Sequence, residues 1–125
     1  MPKISALLGV LFPLLIAPGS SVQTIDISGT WNAQTTSVLG TARQSITFKQ
    51  ASDRFTGQMI TSEGKRELIT DGKITGDQVQ FNVMRQRADG QTVLVLYRGK
   101  ITGKQMAGTF VGWSGRTVNW IATHR

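Results

Sequence analysis

The sequence predicts an all-β domain, an eight-stranded antiparallel up-and-down β-barrel preceded by a signal peptide. Three observations carry this. An octet, Gly72-Lys73-Ile74-Thr75-Gly76-Asp77-Gln78-Val79, is answered by Gly99-Lys100-Ile101-Thr102-Gly103-Lys104-Gln105-Met106. In each copy a strand ends on Lys-Ile, turns on Thr-Gly plus a charged residue and restarts at Gln, which is hairpin chemistry. From Thr24 onward the helical period is missing, and short β-rich runs recur at roughly ten-residue spacing between Gly, Asp, Ser and Asn. Finally, Met1-Pro2-Lys3 is a cationic start to the apolar run Ile4 to Ile16, and Ala17-Pro18-Gly19-Ser20-Ser21 supplies the small residues of a cleavage site.

The expected organisation is a signal peptide over 1–21 and one β domain over 22–125, giving a secreted or periplasmic product. The apolar run falls short of the roughly 20 residues that span a bilayer, so no membrane span is expected after cleavage. The chain has no cysteine, which removes disulfides, thiol catalysis and thiolate metal sites together. Of its 14 Lys and Arg only Lys3 lies in the leader, against 7 Asp and Glu in the rest. Those cations are scattered along every segment, as on a solvated barrel exterior, with no specific nucleic-acid site.

The strands follow in order. Ile25 to Ala33 points Ile25, Ile27 and Trp31 to one face, and Gly29 on that face lets a backbone or a large ring approach closely. Gln34 to Ala42 lacks periodicity and is expected to form a mobile lid over one mouth. Gln44 to Gln50 puts Ile46 and Phe48 inward; Phe55 to Thr61 does the same with Phe55 and Met59. Arg66 to Ile74 is expected to turn Leu68 and Ile74 inward, with Gly72 marking a bend or bulge. Val79, Phe81 and Val83 then share one face, opposite Gln78, Gln80 and Asn82. Asp89-Gly90 has the composition of a type I′ turn. Thr92 to Ile101 is apolar on both faces through Val93-Leu94-Val95-Leu96-Tyr97, so its outer side is either covered or meets a partner. Met106 and Phe110 alternate with glycines, and Val118, Trp120 and Ala122 face inward on the last strand. Closing that strand on the first removes both sheet edges.

Gly29-Thr30-Trp31 at the start of such a meander resembles the calycin barrels, the lipocalins and the avidin and streptavidin family. In those proteins a Gly-x-Trp opens the barrel, and a basic residue near the end of the last strand packs on the Trp. The resemblance gives that part to Arg125, in a cation–π contact of about 0.5 to 1 kcal/mol. Ile27 to Gln34 is similar to the avidin opening, and Ser37 stands where that family has a ligand-contacting Ser. Ala33 occupies the place of its ligand-binding Asn, so the resemblance implies the barrel and not biotin binding.

Trp31, Ser37, Phe48, Phe55, Phe81, Phe110 and Trp120 are the candidate ligand-binding residues, in an exported, non-catalytic protein holding a small apolar or amphipathic molecule in or at the mouth of the barrel. The alternative is a filled barrel acting as a protein-interaction module, an inhibitor or an envelope-assembly factor. It would use the outward side of Leu94 and Leu96, with Arg85, Arg87, Arg98, Lys100 and the mouth residue Trp113. The single histidine, His124, has no neighbours with which to build a triad or a zinc site, and Asp53, Asp77 and Asp89 fit turn duty. No catalysis, metal or cofactor is therefore expected.

Overall fold

A computed structural model describes residues 24–112 and 115–125. The expected signal peptide and Trp113 lie outside the described residues. The chain forms β1 (Gly29–Ser37), β2 (Gly40–Ala51), β3 (Arg54–Ile60), β4 (Arg66–Thr75), β5 (Gln78–Gln86), β6 (Thr92–Thr102), β7 (Gln105–Val111) and β8 (Thr117–His124). Each strand pairs antiparallel with the next, and β8 returns to β1, with Ala33 opposite Ala122, so the barrel is closed. Neighbouring elements alternate direction, which sends the β1–β2, β3–β4, β5–β6 and β7–β8 connections to one pole and the other three to the opposite pole.

The two poles are built differently. At one, β2–β3, β4–β5 and β6–β7 are joined by two residues each, beginning with Ser52, Gly76 and Gly103 at φ 61° in all three. That is the type II′ geometry, which needs positive φ only at its first central residue. The repeated octet therefore encodes two of three equivalent turns; Ser52 makes the third without glycine. The carbonyls of Asp53, Asp77 and Lys104 then accept from the N–H groups of Ile74, Ile101 and His124 at 2.7–2.9 Å, lacing each turn to the strand beyond. We call this the laced pole.

Residues 24–28 do not extend β1 but cross the base of that pole. Gln50 holds them there, its Oε1 accepting from Ile27 N–H at 2.7 Å and its Nε2 donating to Ile25 O at 2.8 Å. Ile27 is fully buried beneath Trp31, whose Nε1 donates to Ile27 O at 2.9 Å. The ring that approaches Gly29 closely is the His124 imidazole, whose Nε2 lies 3.0 Å from Ser28 O.

At the opposite pole, 61–65 and 87–91 are longer loops of one kind, and Gly112, Gly115 and Arg116 make the same bonds in the β7–β8 connection. In each, the first residue's carbonyl accepts from the fourth residue's N–H, and its N–H donates to the fifth residue's carbonyl, at 2.7–2.9 Å. Only Gly90 of the Asp89-Gly90 pair has positive φ, so the expected type I′ turn is replaced by this wider loop. The expected lid is likewise absent. Gln34–Ser37 and Gly40–Ala42 are paired strand, and Val38-Leu39 is a bare two-residue tip. Thr and Ser are compatible with strands, and a ladder that runs to Ser37↔Gly40 leaves nothing to move as a lid.

One strand departs from the predicted facing. β4 carries Glu67 and Ile69 inward before Asp71 and Gly72 and Ile74 inward after it, because an irregularity between Thr70 and Lys73 adds a residue. Asp71 sits at φ 53° and absorbs the extra step. Leu68, expected inside, is therefore 53 % exposed, and Glu67 takes the interior position at 6 %.

Candidate interaction surface

The six predicted ring residues do come together inside the barrel, but with one another. Phe48 meets Trp31, Phe55 and Phe81 edge-on with centroids 6.4, 5.1 and 5.6 Å apart. Tyr97, absent from the predicted set, completes the column: it stacks on Phe81 at 5.1 Å and on Phe110 at 4.3 Å. Trp120 closes against Phe81 and Tyr97, both at 5.9 Å, and its Nε1 donates to the carbonyls of Arg98 and Thr109. Gly99 makes room for it, since a Cβ there would lie 2.7 Å from the Trp120 ring, while Gly108 lets β7 approach β6, where a Cβ would fall on the Arg98 carbonyl. Edge-to-face and offset-stacked rings at these spacings satisfy aromatic packing preferences fully. Eight strands enclose just enough space for such a filling.

The remaining sequence candidates are placed as follows. Ser37 is exposed at the end of β1, where its hydroxyl accepts from Leu39 N–H at 3.2 Å. Arg125 does not cover Trp31: its Nε donates to Asn32 Oδ1 at 2.8 Å, and the ring against Trp31 is His124, 4.9 Å away and 67° inclined. Residue parity explains this, since Trp31 pairs with His124 in the β1–β8 ladder and Arg125 falls one position further on. Leu94, Leu96, Arg98 and Lys100 do share the outer face of β6.

Arg85 departs from its expected outward placement. It shares parity with Val79, Phe81 and Val83, and so points into the barrel. There its Nε and Nη2 donate to both carboxylate oxygens of Glu67 at 2.9 and 3.0 Å, and Nη2 also donates to Tyr97 Oη at 2.9 Å. Its guanidinium lies 5.9 and 5.6 Å from the ring centroids of Tyr97 and Phe110. Burial weighs most on Arg85 and opposes its charge, yet the bonds to Glu67 and Tyr97 hold its pKa above the ordinary arginine value. Burial likewise pushes the Tyr97 phenol above the usual tyrosine range, with Arg85 pulling the other way. This set was hidden in the sequence because the β4 irregularity reverses the face that Glu67 presents.

Outside, apolar side chains line up. Leu68 faces Met84 across β4–β5, and Met84 faces Leu94 across β5–β6. Leu96 and Val111 continue the row along β6 and β7 around a hollow of about 350 Å³, while Leu68 and Met84 flank another of about 260 Å³. Leu94 is 60 % exposed. A hollow of about 400 Å³ lies beside the irregularity, lined by Lys49, Arg54 and Asp71 from the outer wall and by Phe55 and Gly72 from the inner face. Arg87 reaches Asp89 at 4.0 Å and Lys100 reaches Asp77 at 3.7 Å. The chain matches no protein-family model and no curated protein.

Proposed function

We propose that this protein is a non-catalytic interaction module of calycin-like architecture, exported by its N-terminal segment, which engages a protein partner through the outer wall of β4–β7. The observation that carries this reading is the row Leu68, Met84, Leu94, Leu96 and Val111 on a barrel whose interior is occupied by rings in mutual contact. Contiguous exposed apolar surface on a small domain marks a contact site more often than chance. Arg98 and Lys100, on the same face of β6, would rim it with charge. A small ligand in the barrel, the other expectation, would need Phe81 and Tyr97 to part, because their stacking fills the axis.

A photo-crosslinking residue placed at Leu94, and separately at Gln80 on the polar part of the same outer wall, tests the reading in the host cell. A discrete protein adduct from position 94 and none from 80 is the expected result. Adducts from neither site, with a small molecule co-purifying in native mass spectrometry and displaced by an apolar probe, would overturn it in favour of ligand binding.

A further inference from the structure

The pole opposite the laced one carries an unusual surface. Its β1–β2 tip presents Val38 and Leu39 at 78 % and 95 % exposure, the two most exposed large apolar side chains described. Each of the four hairpins at this pole also brings at least one exposed cation: Arg43 from the first, Lys65 and Arg66 from the second, Arg87 and Arg116 from the third and fourth. Among the described residues Glu63 and Asp89 are the acids that oppose them on that rim, while Glu67 is spent inside on Arg85. At the laced pole Asp53 and Asp77 pair with Arg54 and Lys100 at 3.9 and 3.7 Å, as Asp89 pairs with Arg87 at 4.0 Å on the rim, but the laced turns carry no large apolar residue.

We infer that this rim and tip form a docking surface for an anionic lipid bilayer, with Val38 and Leu39 entering the headgroup region and the cations resting on its negative surface. The inference builds on the reading that the barrel works from its outside, and assigns the end of the barrel where that reading assigns its wall. Two features of geometry favour a bilayer over a small anion or a protein cleft. Cations distributed one or more per hairpin lie around the circumference of the barrel, so a flat charged surface meets all of them together, whereas a single phosphate meets one or two. The apolar pair stands at the two-residue tip of a hairpin with both side chains almost wholly exposed, as shallow insertion into a surface requires. Shallow insertion of apolar groups combined with basic residues at an anionic surface is a sufficient basis for reversible membrane attachment.

The absence of cysteine makes a local test direct. Val38→Cys and Lys104→Cys, one at each pole, are labelled with an environment-sensitive fluorophore in the full-length chain and mixed with vesicles of phosphatidylcholine, alone or with 30 % phosphatidylglycerol. The probe at 104 reports any tethering through the apolar N-terminal segment, which every sample shares. Expected is a blue shift and a several-fold intensity gain at position 38, with the anionic vesicles only, abolished in 0.5 M salt as screening requires. Combining Arg43→Glu with Arg116→Glu should weaken it tenfold or more. No change at 38, equal changes at 38 and 104, or equal response to neutral vesicles would overturn the inference. A protein adduct from position 94 would in that case leave the wall assignment standing.

Discussion

Glu67 and Arg85 place opposite charges in an otherwise apolar interior, and each is tolerable only because of the other. Removing one partner leaves an uncompensated buried charge, which typically costs 3 to 5 kcal/mol. Arg85 retains some contact with solvent, so Glu67→Gln is expected to lower stability by about 3 kcal/mol in denaturant unfolding. Glu67→Leu combined with Arg85→Met should recover most of that loss, since apolar replacement of a buried pair is often neutral or better. Tyr97 adds a pH dependence. Its phenol is harder to ionise in the folded state than in the unfolded chain, so its contribution is complete below the unfolded value of 10.0 and is lost as pH rises above it. Between pH 9 and 12 the unfolding midpoint should therefore fall less steeply in Tyr97→Phe than in the wild type. A parallel fall would show that Tyr97 does not carry the effect.

The strand that hides these residues is β4. The sequence pattern Leu68, Gly72, Ile74 reads as one continuous face, and an alternation rule has no means of counting the extra residue at Asp71. Gly72 signals that something happens there, but the irregularity belongs to its neighbour, a non-glycine residue held at φ 53°. At Gly72 itself an added Cβ would lie 2.3 Å from the Phe55 ring. Gly72→Ala should cost about 1 to 3 kcal/mol by displacing that ring, read as a drop in the thermal midpoint. Asp71→Gly should be neutral or mildly stabilising, because it relieves the left-handed conformation without touching the core. Where an alternating apolar run is unbroken its facing was legible: Val79, Phe81 and Val83 on β5 and Val118, Trp120 and Ala122 on β8 face inward as predicted, although Arg85, next in the β5 row, was expected outside. The tip at Val38-Leu39 was not, because Thr35, Thr36 and Thr41 are as compatible with a polar loop as with a strand.

For the molecule as a whole, strand count, order and closure followed from local rules, since eight short amphipathic runs joined by short turns have few other ways to hide their edges. Whether the interior is open or filled did not follow, because the same ring side chains serve either arrangement. Trp31, Phe48, Phe55, Phe81, Phe110 and Trp120 would line a cavity or fill it, and the decision rests on Tyr97, whose two stacking contacts no spacing in the sequence announces. Its hydroxyl is also where the apolar column meets the Arg85 and Glu67 pair, so the interior is graded, dry toward the laced pole and ionic toward the rim.

The unequal construction of the two ends bears on how this chain tolerates change in length. A turn of two residues whose carbonyl is committed to the next strand has no slack, and extra sequence between Gly76 and Asp77 would break the bond from Ile101 as well as the hairpin itself. The loop over 87–91 is closed by bonds between Arg87 and both Gly90 and Gln91, with Gln86 Nε2 donating to Gly90 O at 3.4 Å, and added sequence at its exposed crest would lengthen the arch without breaking a strand ladder. An eight-residue epitope inserted after Ala88 should be carried at nearly wild-type yield and melting temperature, while the same epitope after Gly76 should yield insoluble protein. The arches at one end of this barrel are thus free to lengthen, and the turns at the other must keep their length without alteration.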